Sequence, residues 1–160
     1  MAAVAAIALP GHFEERACFA ERLALFPGGC FVLAARAGIT GYLIAYPWTA
    51  GAIPPLNSLL GRLPATAEAV YLHDLALHPG VRGQGVAGPM IQRLADTLRL
   101  LSTRQIALVA VNGSAPFWER MGFAPVLGDP SFTAKLESYG SDATYMTRPD
   151  PAREAYRRRL

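Results

Sequence analysis

Apolar residues change period several times along this chain, and each change predicts an element. Residues 12–26, bounded by Pro10-Gly11 and Pro27-Gly28-Gly29, set Phe13, Ala17, Ala20, Leu23 and Leu25 at near-helical spacing. Glu14, Glu15, Arg16, Glu21 and Arg22 fall on the other side, which predicts one amphipathic helix. Residues 30–35 and 39–46 are apolar, β-branched and aromatic runs separated by Arg36-Ala37-Gly38, a hairpin signal for adjacent antiparallel strands. Residues 86–101 place Met90, Ile91, Leu94, Leu98 and Leu101 on one face and Gln92, Arg93, Asp96 and Arg99 on the other, a clean amphipathic helix. It lies between the strand at 69–77 and an uninterrupted apolar strand at 105–111, so the three predict a right-handed βαβ unit with its helix over the sheet. Ser114 can cap a short helix with Pro116 in its first turn and Gly122 at its end. Residues 123–127 and 143–147 are the last strands, joined through 128–142. The long stretch 47–66 carries Pro47, Gly51, Pro54, Pro55, Gly61 and Pro64, with a helical turn expected at 56–62. Long loops in compact domains are often functional. This one is a candidate lining for a substrate site, with Tyr46 and Trp48 as contacts or as aromatics that only pack it down.

The stretch that organises the rest is 71–90, YLHDLALHPGVRGQGVAGPM. An apolar strand runs into a turn, the turn opens into small residues interrupted by Arg82 and Gln84, and a helix starts with Pro89 in its first turn. Glycines at 83, 85 and 88 allow a ligand close to the backbone, and the free N–H groups of a helix start point toward negative charge. That is a pyrophosphate cradle. It is not a P-loop, which needs Lys-Ser or Lys-Thr after the last glycine. The glycines do satisfy G-x-G-x-x-G, but no acidic residue marks the end of a following strand to hold a ribose.

Composition narrows the setting. The 160 residues suggest one domain, 1–160, ending in a basic tail at 149–160, and 52% hydrophobic content with mean hydropathy +0.23 excludes a disordered chain. The net charge of +3 is mild, and fourteen of the fifteen basic residues are arginines, Lys135 being the exception. Arg153, Arg157, Arg158 and Arg159 form a tail read as a solvated helix end, so nucleic acid is not an expected partner. Cys18 and Cys30 lack disulfide or metal spacing and read as thiols of a reducing cytoplasm; no metal is expected. The apolar start, 1–10, is too short to span a bilayer and lacks a basic leader, so no membrane is expected.

Arg82 to Ala87 reads Arg-x-x-Gly-x-Ala, preceded by H-D-L-A-L-H-P and followed later by N-G-S-A-P-F-W-E-R-M-G-F. Together these segments resemble the GNAT superfamily of N-acetyltransferases, over roughly 29–123 and poorly at the two ends. The resemblance implies an α/β fold with a mixed, mostly antiparallel central sheet flanked by helices. It makes 69–77 the fourth strand. Only about ten residues remain ahead of the first helix, so either 2–9 is the first strand with an abbreviated helical layer, or the front is trimmed.

The resemblance also implies acetyl-CoA as acyl donor. The strand backbone at Leu75, Ala76 and Leu77 would meet the pantetheine and acetyl carbonyl. The backbone of Arg82, Gly83, Gln84, Gly85, Val86, Ala87 and Gly88 would hold the pyrophosphate. Asn112, Ser114 and the helix at Phe117 would lie along the other side of the cofactor arm. The acceptor-facing base is implied at His73 or Tyr71, and serotonin N-acetyltransferase is similar in having a histidine at the former. Histidine, with an ordinary pKa of about 6.5, suits proton removal near neutrality. Period-two alternation groups Tyr71, His73 and Leu75 on one face and aims Asp74 to the other, with Leu72 and Ala76; His78 reads as a loop residue.

Many relatives have F-Y-E-x-x-G-F where this chain has Phe117-Trp118-Glu119-Arg120-Met121-Gly122-Phe123. An indole N–H donates a hydrogen bond but does not give up its proton as a phenol does. The thiolate's proton is left to water, Ser114, Tyr139 or Tyr145. The expected activity is acetyl transfer from acetyl-CoA to an amine by direct attack in a ternary complex, with a non-catalytic acyl-CoA sensor as the alternative. The acceptor is not identified, but the loop 47–66 has no converging carboxylates, which lowers a polyamine. A homodimer is left open.

Overall fold

The computed structural model describes residues 2–8, 11–12, 14–36, 38–98, 101, 103–127 and 130–149. The arginine tail beyond 149 lies outside the described residues, as do Phe13, Arg99 and the side chain of Leu98, which the helix readings used. The chain enters through helices α1 (Ala2–Ala8) and α2 (Arg16–Leu25). A hairpin follows, β1 (Cys30–Ala35) and β2 (Gly38–Trp48), paired antiparallel as the spacing predicts. Then come β3 (Ala69–Leu77), α3 (Ala87–Leu98), β4 (Gln105–Ala110) and α4 (Ala115–Arg120), and the chain continues through β5 (Ala124–Pro125), α5 (Pro130–Glu137) and β6 (Thr144–Pro149).

Six strands form one sheet in the order β1-β2-β3-β4-β6-β5, antiparallel throughout except for the parallel β3–β4 pair. The expectation that 2–9 is a strand is overturned. Five of the seven residues of α1 are alanine, the best helix former and a poor strand former. Residues 69–77 are therefore the third strand. Residues 56–62 make a turn but no helix, and the connection at 128–142 contains α5, which no reading anticipated.

Apolar layers cover both faces of the sheet. On one, Met90, Ile91, Leu94 and Ala95 of α3 pack with Leu43, Val70, Leu72, Ile106 and Leu108, joined by Trp118 and Phe123. Each such Leu or Ile stabilises the fold by about 2 kcal/mol relative to exposure. On the other, Val4 of α1 and Phe132 of α5 pack with Tyr42, Ile44, Tyr46, Tyr71 and Tyr145.

Two departures from regularity shape the middle of the sheet. First, β3 and β4 pair only over Ala69–Tyr71 with Gln105–Ala107. Beyond that point β3 continues along β2, and β4 along β6, so the two strands part. Second, Asp74 pairs with Ile44 while Leu72 pairs with Ala45, which leaves His73 as the extra residue of a β-bulge. The bulge resets the alternation. Leu72, Leu75 and Leu77 all join the α3 layer, while Tyr71 and Ala76 face the other way. His73 and Asp74 share that second face, where Tyr46 and Tyr42 meet them, so the strict alternation that separated them is corrected.

Candidate functional site

The turn after β3 is built as the glycine pattern requires. A single 3-10 turn at Pro79–Val81 is closed by Nδ1 of His78, which accepts from the Gly80 N–H at 3.1 Å. Gly83 and Gly85 follow with φ of 75° each, left-handed backbone that side-chain-bearing residues rarely adopt. Space around both is open, as it is around Gly88: a Cβ at any of them would meet nothing within 4 Å. Nε of Arg82 donates to the Leu77 carbonyl at 3.0 Å and ties the turn to the end of β3. Helix α3 begins at Ala87. The N–H groups of Val86, Ala87 and Gly88 have no partner inside the helix, and Pro89 has none to offer.

A cavity of about 740 Å³ starts here and runs through the sheet. Its first part is walled by Arg82, Gly83, Gly85, Val86, Ala87 and Gly88. Its middle lies in the parting between the strands, against Leu72, Leu75 and Leu77 on one side and Leu108, Val109 and Val111 on the other. Asn112, Ser114, Phe117 and Trp118 line the same side as β4. Its far end, on the second face, meets Ala8, His12, Glu14, Leu56, His73, Asp74 and Tyr139. Of the residues expected to hold a cofactor, Ala76 and Gln84 are not on the wall. Ala76 is fully buried, and the Gln84 amide folds back onto the Gly80 carbonyl at 2.8 Å. Ser114 does not cap α4 with its side chain; its hydroxyl accepts from the Val111 N–H at 3.2 Å and keeps its own proton available.

The far end holds charges that the sequence reading placed in solvent. Arg22 is fully buried and Glu14 is 8% exposed, so the supposed polar face of the first helix turns inward. Helix α2 itself is shorter than expected, Arg16–Leu25, and Leu23, counted on its apolar face, is exposed. Oε1 of Glu14 accepts from Nη2 of Arg22 at 2.9 Å and from the Asn57 N–H at 3.1 Å. Oε2 lies 2.7 Å from Nε2 of His73. The other ring nitrogen, Nδ1, lies 3.3 Å from the Tyr46 hydroxyl. Burial opposes ionisation of Glu14, yet the hydrogen bond and charge of His73, with Arg22 and the Asn57 N–H, leave its carboxyl below the usual range. Asp74 behaves oppositely. Burial is its largest influence and raises its carboxyl above the usual range, against the hydrogen bond that its Oδ2 accepts from the Tyr42 hydroxyl at 3.0 Å.

Donor atoms of Glu14, His73 and Asp74 lie within 4.8 Å of one another, close enough to share a cation. The Arg22 guanidinium already occupies one of these carboxylates, and the group is better described as a hydrogen-bonded chain of charges.

Tyr71 is not on the cavity wall. It is 2% exposed, burial holds its phenol well above the usual range, and it stacks obliquely on His73 and Tyr46 at centroid distances of 6.1 and 5.9 Å. The expectation of a base there is corrected. Tyr46 and Trp48 also stay off the wall, Trp48 standing edge-on to Tyr46, and the loop contributes Leu56 instead. Tyr145 binds the Gly51 N–H through its hydroxyl, away from the cavity. Tyr139 lines it, but its hydroxyl donates to the Pro54 carbonyl at 2.5 Å and burial pushes its phenol up to about 12. Of the expected proton donors in the protein, Ser114 remains.

Residues 4–123, three-quarters of the chain, match the sequence model of the family described as the acetyltransferase (GNAT) family. The chain belongs to this family. Solved structures agree on the fold of this GNAT chain. The loading GNATL domain of CurA from Lyngbya majuscula superimposes with a TM-score of 0.74 at 11% identity, over 92% of this chain and 90% of that one. The GphF GNAT-like decarboxylase, in complex with isobutyryl-CoA, gives 0.72 at 17% identity over 92% of each chain. Arabidopsis thaliana Naa50, in complex with the bisubstrate analogue CoA-Ac-MVNAL, gives 0.64 at 12% identity, over 92% of this chain and 88% of that one. Comparison with curated protein sequences gives no significant match. None of the described helices is long and apolar enough to cross a membrane.

Proposed function

We propose that this GNAT acyltransferase is an N-acetyltransferase that moves the acetyl group of acetyl-CoA to a primary amine by direct attack. The observation that carries the reading is the cavity through the parted strands, with an anion cradle at one end and a cluster of proton-accepting groups at the other. The turn at 82–88 and the start of α3 would hold the pyrophosphate through backbone N–H groups. The unpaired edge of β3 from Leu72 to Leu77 would meet the pantetheine amides. The thioester would then lie in the parting, within reach of an amine entering from the far side. The Glu14, His73 and Asp74 cluster would take the proton of that amine, and Ser114 or water would supply one to the departing sulfur. GphF bound to isobutyryl-CoA and Naa50 bound to a CoA-peptide conjugate are consistent with such a donor site on this fold.

The decarboxylase neighbour suggests a competing chemistry, loss of carbon dioxide from a carboxyacyl-CoA. Charge at the far end argues against it. Two carboxylates meet the cavity there, and the Arg22 guanidinium is sealed behind Glu14, so a substrate carboxylate would be repelled where an ammonium would be attracted.

The test is an acetyl-CoA consumption assay across alkyl, aryl and peptide amines with a no-acceptor control, beside a thermal-shift titration with CoA. Binding should raise Tm, because a ligand selective for the folded state stabilises it. A folded protein that shows no shift at millimolar CoA would sink the donor-site assignment. Binding without turnover on any amine would leave a CoA sensor.

A further inference from the structure

The cluster at the far end of the cavity divides its work in a way that the sequence pattern does not suggest. His73 has both ring nitrogens committed, one to Glu14 at 2.7 Å and the other toward the Tyr46 hydroxyl at 3.3 Å, and its side chain is 2% exposed. Glu14 has both oxygens committed, to Arg22, to the Asn57 N–H and to His73, with its side chain 3% exposed. Glu14 already accepts three of the about four hydrogen bonds open to a carboxylate and His73 has no ring nitrogen out of contact, so neither keeps most of its accepting capacity for a substrate proton. Asp74 does. The bulge at His73 turns it onto the same face, and it lines the cavity. Among the described residues it has one hydrogen bond, from Tyr42, where an ionised carboxylate can accept about four.

Resting on the N-acetyltransferase reading, we infer that Asp74 is the catalytic residue that takes the proton of the acceptor ammonium, while Glu14, Arg22 and His73 are positioning residues behind it. The ammonium gives one proton to Oδ1 of Asp74 and becomes a neutral amine. Its lone pair attacks the thioester carbonyl carbon, forming C–N as the carbonyl π pair moves to oxygen. That pair returns as C–S breaks. The nitrogen's surplus proton leaves for the thiolate through Ser114 or water, giving amide and thiol, and the Asp74 proton passes to solvent.

Glu14 is already paired with Arg22 and His73, so Asp74 is the carboxylate on the cavity wall that has no ion pair of its own among the described residues. Burial favours its protonated form, which makes the carboxylate a stronger base than one in water. The groups facing it are Tyr42 from β2, His73 beside it on β3, Glu14 ahead of α2, Arg22 on α2 and Tyr139 after α5. Converging carboxylates, sought in the loop at 47–66, are thus supplied from elsewhere.

The experiment compares Asp74→Asn, Asp74→Glu and His73→Gln for kcat against pH on a high-pKa alkylamine and a low-pKa arylamine, with CoA thermal shifts as a check on the donor site. Asp74→Asn should lower alkylamine turnover by roughly 10²–10⁴-fold, remove the acid limb of the profile and affect the arylamine much less. Asp74→Glu should recover part of the rate and restore the limb. His73→Gln can still donate to Glu14, so it should move the limb without abolishing it. Loss of the limb in His73→Gln with its retention in Asp74→Asn would overturn the inference and make His73 the base. Wild type silent on every amine, yet shifted by CoA, would instead overturn the reading on which the inference rests.

Discussion

The two ends of the cavity are made in opposite ways. The proposed cradle is one run of ten residues, 79–88, with left-handed Gly83 and Gly85 ahead of the start of α3, and the groups it would offer a ligand are backbone N–H groups. The far end is four side chains, Glu14, Arg22, His73 and Asp74, with the Glu14–His73 contact spanning 59 residues. A local, backbone-made site asks little of the rest of the chain. A site of buried charges works only when the tertiary structure brings the partners together, and each charge is costly when a partner is missing. The donor end should therefore be lost by filling space, and the acceptor end by unbalancing charge.

The largest effect should come from Arg22→Met. It removes the guanidinium from a carboxylate that stays buried, and breaking such a pair costs roughly 3–5 kcal/mol. Urea denaturation should show this as a lower midpoint with little change of slope. Arg22→Met combined with Glu14→Gln should recover much of the loss, because no unpaired carboxylate is then left. A single variant as stable as wild type would mean that the chain of charges is not a unit.

Gly88→Val tests the other end. Gly88 has no left-handed backbone to strain and open space in front of it, so the fold should hold. The branched side chain would occupy the cavity wall where a phosphate group is proposed to lie. CoA affinity should fall tenfold or more, about 1.4 kcal/mol or above. Unchanged CoA affinity in the folded variant would move the phosphate site away from the start of α3.

How much could be read in advance follows the same division. The hairpin at 30–46, the strand at 69–77, the glycine turn and α3 were legible because each is set by local period, glycine placement or a helix start. Glu14 and Arg22 carried no local mark. Charges on one side of a periodic segment ordinarily face water, and only the position of His73 on a distant strand makes that side an interior. The bulge was equally silent, since Tyr71 to Leu77 reads as unbroken strand. Alanine in 2–8 offered the one missed local signal, a helix preference overridden by the expectation of a strand.

Opposite shifts of the two carboxylates predict opposite pH effects on stability. Glu14 is lowered in the folded state, so its contribution is present above its unfolded pKa and is lost as pH falls through the folded value. Asp74 is raised, so its ionisation costs stability; the cost appears as pH rises past the ordinary carboxylate range and is complete above the folded value. Asp74→Asn should therefore be more stable than wild type near neutrality, by about 0.5–2 kcal/mol, a common size of gain when function and stability compete. The gain should fade in acid. Glu14→Gln should be less stable near neutrality and converge on wild type in acid. Denaturation midpoints from pH 4 to 8 for both variants check the signs, and a loss of stability in Asp74→Asn at pH 7 would contradict them.

The smallest effect is expected at Trp118, which borders the donor end. It is 7% exposed, with Phe117 and Phe123 set edge-on to it at centroid distances of 4.9 and 5.3 Å. Trp118→Phe keeps an aromatic surface for these neighbours while leaving a small void, a loss of about 1 kcal/mol. Turnover should stay within about threefold of wild type, because an indole is not a practical proton donor and phenylalanine offers none. Trp118→Tyr supplies a phenol at the same place, and a rise in kcat would mean that protonation of the leaving sulfur limits the wild-type rate. A collapse of kcat in Trp118→Phe, with CoA affinity and midpoint nearly unchanged, would give the indole N–H a direct part in the reaction. The donor end would then depend on a side chain, and the contrast between a backbone-made end and a side-chain-made end would fail at that point.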